Sequence, residues 1–447
     1  MAVAAFESPL MAGLYGDAEI AAHFSAEAEI AAMLRFEAAL ARVEARLGVI
    51  PAAAGPAIAQ ALAGVEVAAA DLGAATEAAG IPVPGLVKAL RARIAPPHGD
   101  FLHWGATSQD AMDTGLALRL HPVLEILDTR LAALVAALGA AARRHAGLPM
   151  AGRTRSQIAT PTSFGLRIAG WMAPLARCRD RLGELRPRLL LLQFGGASGN
   201  LAALGERGIP VMEALAAELG LGCPAKPWHV ERDGLVEFAN WLAMVSGLTG
   251  RIGADLVLLG RSEIAEAAAG AGGGSSTMPQ KANPVLAETL VTLARFGAAQ
   301  AGLAQQALLQ TEERDGAAWA VEWLYLPPMA VAAGASLRHA AALVADLRPD
   351  PARMAAAIEL NGGAAYAEAL AFGLARHMPL KDAQEIVKAA AAAQAAAAAQ
   401  AATGGRLIDR VDAACAARGL PAQQLDLESQ LAPGRELVER AVKASRA

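Results

Sequence analysis

The sequence predicts an all-α protein, and three observations carry that expectation. Hydrophobic residues fill 55% of the 447 positions but aromatic ones only 4%, so the excess is carried by alanine, the strongest helix former. Strand formers such as Val, Ile, Thr and Tyr are sparse by comparison. Run after run then places apolar residues at i, i+3 and i+4 between glycine and proline breaks, which is the spacing of a helix with a buried face.

Taken in order, the first long helix is expected over 25–47. Ser25 caps it, Glu27 and Glu29 occupy its first turn, and Ile30, Met33, Leu34, Leu40 and Val43 form its apolar stripe. Gly48 and Pro51 close it. Shorter helices follow over 52–95, broken by Pro56, Gly80, Pro82 and Pro84, and the Pro96-Pro97 pair opens an irregular stretch to Asp110. Long helices are expected over 113–144, 162–192, 210–219, 235–268, 285–309 and 323–347. Helices this long and this apolar need neighbours on several sides, so the pattern implies a long bundle completed by other copies of the chain. The stretch DLRPD, Asp346 to Asp350, marks a boundary, beyond which the nearly pure Ala and Gln run of 389–402 predicts a weakly anchored helix. The expected domains are therefore 1–111, a central bundle over 112–347 and a small helical domain over 348–447.

Charge and cysteine usage narrow the function. A formal net charge of −4 and the lack of any Lys/Arg run exclude nucleic acid as the main partner. The start, Met1 to Leu10, lacks the basic and apolar parts of a signal peptide, and the apolar run 131–142 is stopped by Arg143 and Arg144 before it could span a membrane. Cys178, Cys223 and Cys415 are odd in number and far apart, as expected for a reducing, cytoplasmic compartment. No CxxC or His/Cys cluster points to a metal, and no cofactor is expected.

Four polar, glycine-containing islands interrupt the helices: HWGATSQD (103–110), GRTRSQIATPTSFG (152–165), QFGGASGN (193–200) and GGGSSTMPQKANPV (272–285). Loops at the ends of rigid helices are where function concentrates. Thr107, Ser108, Arg153, Thr154, Gln157, Lys281 and Asn283 are hydroxyl, amide and cationic donors with no carboxylate pair among them. Such a set suits an anion with more than one carboxylate. The Thr-Ser pair also reads as a helix cap, Arg153 as half of a structural ion pair, and Asp110 as the cap of a helix starting near Met112.

The stretch GSSTMPQKANP, Gly274 to Pro284, resembles the GSSxMPxKxNP signature of the fumarase/aspartase superfamily. HWGATSQD and GRTRSQ resemble that superfamily's first and second active-site segments, in matching order and spacing. HWGATSQDAMDTGL, LLQFGGASGNLAALG, KPWHVERD and FEAALARVEARLGVIP look most like its lactonising, cycloisomerase branch. The resemblance implies a three-domain fold around a central bundle, and a homotetramer in which several subunits build each active site. It also implies chemistry beta to a carboxylate through a dianionic aci-carboxylate. Lys281 and Asn283 would then grip that carboxylate, with Thr107 and Ser108 as further donors. Ser275, with Ser276 as its rival, would carry the proton on a loop that acts as a lid, and Glu288 would support the lysine. His103 and His229 lie in matched segments, His103 as a candidate catalytic group and His229 as a substrate contact. Arg314, in TEERD, is a candidate for a further substrate carboxylate; the alternative is an ion pair with Glu312, Glu313 or Asp315.

Arg155 departs from the amine-releasing relatives, which have histidine in GRTHxQ. A guanidinium stays protonated near neutral pH, so it binds a carboxylate but shuttles no proton. This favours ring closure of a small tricarboxylate over the alternative, a fumarate-releasing lyase.

Overall fold

The computed structural model of the chain describes residues 4–274, 277–399 and 405–445. The all-α expectation holds. The longest helices are α1 (Ala26–Arg46), α2 (Ser108–Arg144), α3 (Phe164–Leu189), α4 (Asp233–Leu259), α5 (Val285–Gln306) and α6 (Gly316–Ala345). The main addition is an antiparallel hairpin of β1 (Pro149–Thr154) and β2 (Gln157–Ser163). By its contacts the chain divides into two compact units, each drawn from three stretches: 1–132, 178–250 and 289–338 make the first, and 133–177, 251–288 and 339–447 the second.

In the first unit, α1 forms where its signals are. Ser25 Oγ accepts a hydrogen bond from the Ala28 N–H at 3.2 Å, and Glu27 and Glu29 in the first turn complement the positive end of the helix dipole. Its stripe of Ile30, Met33, Phe36, Leu40 and Val43 enters a core shared with Ile58, Leu86, Leu90, Phe194 and Leu215. Each such burial stabilises by roughly 1.5–3 kcal/mol. Glu37 and Glu44 lie on this same buried face.

The second unit packs Ile358, Leu370, Leu374, Ile386, Leu407 and Val411 into one core. The alanine-rich helix Leu380–Ala399 is anchored there through Ala383, Ile386, Val387 and Ala390, at i, i+3, i+4 and i+7. The boundary at DLRPD is a helix start: Asp350 Oδ1 accepts from the Arg353 N–H at 2.9 Å and caps Pro351–Ile358. The hairpin packs on that helix and on Leu427–Ala444.

Two expectations are corrected. The helix expected over 235–268 ends at Leu259, although alanine-rich sequence continues. The chain turns through Ala265 at φ +48°, and Ala267–Ala268 pairs with Arg348–Pro349. The backbone of Glu266 is drawn into this turn, its N–H donating to Leu259 O and its carbonyl accepting from Asp350 N. Part of the irregular stretch 152–165 is paired strand, closed by Arg155 and Ser156 at φ +49° and +65°, the conformation of a two-residue hairpin turn.

Helices α4 and α6 are long and apolar enough to cross a bilayer by length and composition, yet 50% and 72% of their apolar windows are buried in the protein. That burial is the behaviour of core helices.

Glu44 is fully buried, and neither carboxylate oxygen has a hydrogen-bond partner. Burial first, and the neighbouring Glu37 second, push its carboxyl up to about 9 from 4.5. The folded state therefore holds a proton that the unfolded state releases, and stability falls as pH rises from 4.5 to about 9. Glu44→Leu should remove this slope and raise stability at pH 7 by up to about 3 kcal/mol. Urea denaturation of both proteins across that range checks it; parallel pH slopes would show that Glu44 is not the cause.

Candidate active site

The first turns of α2 place Gln109, Asp110, Asp113 and Thr114 on one buried stripe. Asp110 is fully buried, and its carboxylate collects five donors. Oδ1 accepts from Gln193 Nε2 at 3.1 Å, the Gly195 N–H at 3.0 Å and His229 Nε2 at 2.8 Å. Oδ2 accepts from the Thr107 N–H at 3.0 Å and the Gly196 N–H at 2.9 Å. A buried carboxylate is tolerated when its lone pairs are filled in this way. The helix expected near Met112 begins at Ser108, so Asp110 lies inside its first turn rather than at its N-cap, and its Oδ2 reaches back to the Thr107 N–H ahead of the helix. In the same stroke it ties down the 193–196 turn and the histidine of PWHVERD. Glycine is required in that turn. A Cβ on Gly195 would lie 2.6 Å from Pro227 Cβ, and Gly196 sits at φ +71°.

Around this node the bonds continue. Thr114 Oγ1 donates to Gln193 O at 2.7 Å and accepts from Gln193 N at 3.0 Å. Gln193 Oε1 accepts from Trp228 N at 2.7 Å. Gln109 Nε2 donates to Asp113 Oδ2 at 3.1 Å and to His229 O at 2.9 Å. Asp113 and Glu322 together clamp the buried Arg232, at 2.7 and 2.5 Å, while the Trp228 ring lies 4.7 Å from the guanidinium carbon. Burial opposes the charge on Arg232, but these two carboxylates outweigh it and hold the guanidinium cationic.

Several predicted residues meet on this frame. Thr107 and Ser108 open α2 and are half-buried. Arg314 forms none of the three ion pairs considered from sequence. Its Nε donates to Gln109 Oε1 at 2.9 Å and its Nη2 to Ala197 O at 3.2 Å. Both acceptors are neutral, so the charge is oriented without being cancelled. Asp315 instead caps α6, its Oδ1 accepting from the N–H groups of Ala317 and Ala318 at 3.0 Å. His229 is buried, with its Nε2 spent on Asp110. His103 Nδ1 donates to Glu37 Oε1 at 2.6 Å.

The second unit holds the other candidates. Arg153 forms a paired contact with the buried Glu266, Nη1 to Oε2 at 2.9 Å and Nη2 to Oε1 at 2.5 Å, which is the structural ion pair that sequence left open. Thr154, Arg155 and Gln157 are exposed at the hairpin tip. Lys281 is exposed, its N–H donating to Met278 O at 3.0 Å. Asn283 pairs with Gly273, and Ala282 with Gly274, so the signature stretch is a short ribbon at its base. Glu288 sits in the first turn of α5. Ser275 and Ser276 lie outside the described residues. Among the described residues no group of three or more His, Cys, Asp or Glu is placed to hold a metal ion.

Sequence reasoning missed Glu37, the reach of Asp110, and the Asp113–Arg232–Glu322 clamp. A signal existed for Glu37, since a carboxylate on the apolar stripe of α1 needs a partner from elsewhere.

Asp110→Asn exchanges one acceptor oxygen for an NH2 group facing donors. We expect a loss of roughly 2–4 kcal/mol of stability and at least about a hundredfold loss of turnover as Thr107 and the 193–196 turn come loose. Denaturation together with steady-state kinetics checks this; a stable, active variant would remove Asp110 from its central place.

Against known proteins, residues 15–296 match a family described as Lyase. The 3-carboxy-cis,cis-muconate cycloisomerase of Pseudomonas aeruginosa is 44% identical over 377 residues, covering 83% of this chain and 82% of the relative. Among solved structures, the 3-carboxy-cis,cis-muconate lactonizing enzyme from Pseudomonas putida superposes with a TM-score of 0.88 at 38% identity, covering 98% of this chain and 99% of that one. A fumarate lyase from Mesorhizobium superposes with a TM-score of 0.86 at 32% identity, covering 96% and 98%. With the signature loop, the Asp110-centred frame and these likenesses in agreement, the chain belongs to the lyase family of the fumarase/aspartase superfamily.

Proposed function

We propose that the protein is a cycloisomerase that closes 3-carboxy-cis,cis-muconate to 4-carboxymuconolactone, in the protocatechuate branch of aromatic breakdown. The observation that carries this reading is the 44% identity, over most of both chains, to the Pseudomonas aeruginosa cycloisomerase. Arg314, a guanidinium held among the described residues by neutral acceptors, supports it as a receptor for a substrate carboxylate.

The reaction is an isomerisation. One substrate carboxylate oxygen bonds to the alkene carbon beta to a second carboxylate. The alkene electron pair moves toward that second carboxylate, giving an aci-dianion, and a proton added at the alpha carbon completes the lactone. The demand is to stabilise charge on a group that is already anionic, which preorganised donors do best. Lys281 and Asn283 grip the aci-carboxylate, and Thr107 and Ser108 donate to it. Arg314 and Arg155 bind the remaining carboxylates, and Ser275 delivers the proton. A serine needs its surroundings to make it competent for this, and a glycine-flanked loop supplies backbone N–H groups and closure. None of these steps calls for a metal or an organic cofactor.

The enzyme works as a cytoplasmic homotetramer, and each active site draws donors from more than one copy. Exposed apolar side chains along the long helices support this assembly: Met244 and Leu258 on α4, and Trp323 and Leu324 on α6. The functional division of the chain into 1–111, 112–347 and 348–447 belongs to the same proposal.

A fumarate-releasing lyase is the second reading, favoured by the likeness to the Mesorhizobium enzyme. Arg155 counts against it, because no imidazole stands there to handle an amine's proton.

Ultraviolet absorbance tests the reaction directly, since ring closure removes the conjugated diene. Rapid, protein-dependent loss with 3-carboxy-cis,cis-muconate is expected; no loss there, with turnover of adenylosuccinate instead, would reverse the two readings. Lys281→Ala should cost roughly 10²–10³ in kcat. Arg155→His should raise KM without creating lyase activity, and an unchanged KM would take Arg155 out of the site. A monomeric elution volume on size exclusion at micromolar concentration would contradict the tetramer.

A further inference from the structure

His103 occupies a costly backbone conformation. Its φ is +63°, in the left-handed region that a residue with a Cβ rarely adopts. Two contacts fix it there. Arg91 Nη2 donates to the neighbouring Leu102 carbonyl at 3.0 Å, and His103 Nδ1 donates to Glu37 Oε1 at 2.6 Å. The acceptor comes from α1, where Glu37 lies on the core face with 1% of its surface exposed. Its second oxygen, Oε2, has no hydrogen-bond partner.

A buried carboxylate with one partner and one orphaned oxygen costs stability, where a leucine on the same stripe would add to it. Glu37 is therefore poorly explained as a packing residue. What it does is set the imidazole. With Nδ1 committed as a donor to a carboxylate, the ring's free end is Nε2, which no described protein group bonds. The ring keeps 14% of its side-chain surface open. Thr107 and Ser108 follow in the same short segment.

We propose that Glu37 is a positioning residue: it holds His103 as a cation whose Nε2–H is offered to a substrate carboxylate beside Thr107 and Ser108. The charges around the ring agree. Burial alone would depress the imidazole, but Glu37 by charge and hydrogen bond, with Asp110 on α2, more than offsets burial and the opposing Arg91, and the ring is lifted above its usual range. The proposal rests on the reading of an anionic, carboxylate-bearing substrate.

The test compares wild type, Glu37→Gln, His103→Gln and the double variant. Calorimetric binding of propane-1,2,3-tricarboxylate is measured against pH, beside kcat and KM for 3-carboxy-cis,cis-muconate. Gln keeps an acceptor at the same place and removes only the charge. In Glu37→Gln the pH at which tricarboxylate binding is lost should fall by about one unit, which makes binding roughly tenfold weaker above that pH. KM should rise more than kcat falls. The double variant should match His103→Gln within about twofold, because Glu37 acts through the imidazole. An unchanged pH midpoint in Glu37→Gln would overturn the proposal, as would additive losses in the double variant or a His103→Gln protein that keeps the wild-type pH dependence. If wild type binds the tricarboxylate with this pH dependence but does not turn over the muconate, the substrate reading fails and the role of Glu37 stands. If turnover is found and the midpoint does not move, the reverse holds.

Discussion

The carboxylate of Asp110 is the constraint on which the first unit's share of the candidate site depends. A charge in the protein interior is tolerable only when its surroundings replace the water it has lost. Here the replacement comes from three places far apart in sequence: the start of α2 itself, the glycine turn at 193–196, and His229. None of the three is free to move without leaving part of the charge unsatisfied. On either side of it along α2, Gln109 and Asp113 extend the order outward, Asp113 to the Arg232 clamp and Gln109 to Arg314. The direction in which Arg314 points is thus a remote consequence of how Asp110 is satisfied.

The donors of the second unit are held differently. Arg155 stands on a two-residue hairpin turn, and Lys281 precedes the strand of a ribbon that pairs Gly273–Gly274 with Ala282–Asn283. Both are exposed. Within the first unit the donors are fixed by a buried hydrogen-bonded network, whereas these two cations of the second unit stand on short surface elements. Arg153, which reads as a free donor from its place in GRTRSQ, is instead neutralised by the buried Glu266.

The helices were legible because their signals are local. Ser25, Glu27 and the apolar stripe placed α1 within a residue at each end, and Val285 was the expected start of α5. Failures came where the deciding interaction is between distant residues. Nothing in the alanine-rich run past Leu259 announces a turn, since the bonds that make it worthwhile come from Asp350. The hairpin is likewise a matter of pairing, Met150 with Thr162 and Thr154 with Gln157, and its turn lacks the glycine that would have advertised it. At the site, residue types pointed to an anion, but their partners were hidden. Arg153 and Arg314 are both arginines in polar islands, and only the structure separates one neutralised by a buried glutamate from one aimed by an amide and a carbonyl.

The way the chain is shared between the two units has a consequence during synthesis. The first unit is not complete until residue 338 of 447 has been made, and its opening stretch, 1–132, must wait for partners that arrive after the ribosome has also produced two pieces of the other unit. Long-range closure of this kind is slow, and it leaves apolar helix faces uncovered in the meantime. An alanine-rich chain with few aromatic side chains is well matched to that wait: its helices form early from local propensity, while the surface they expose is made largely of small groups that hold a wrong partner weakly.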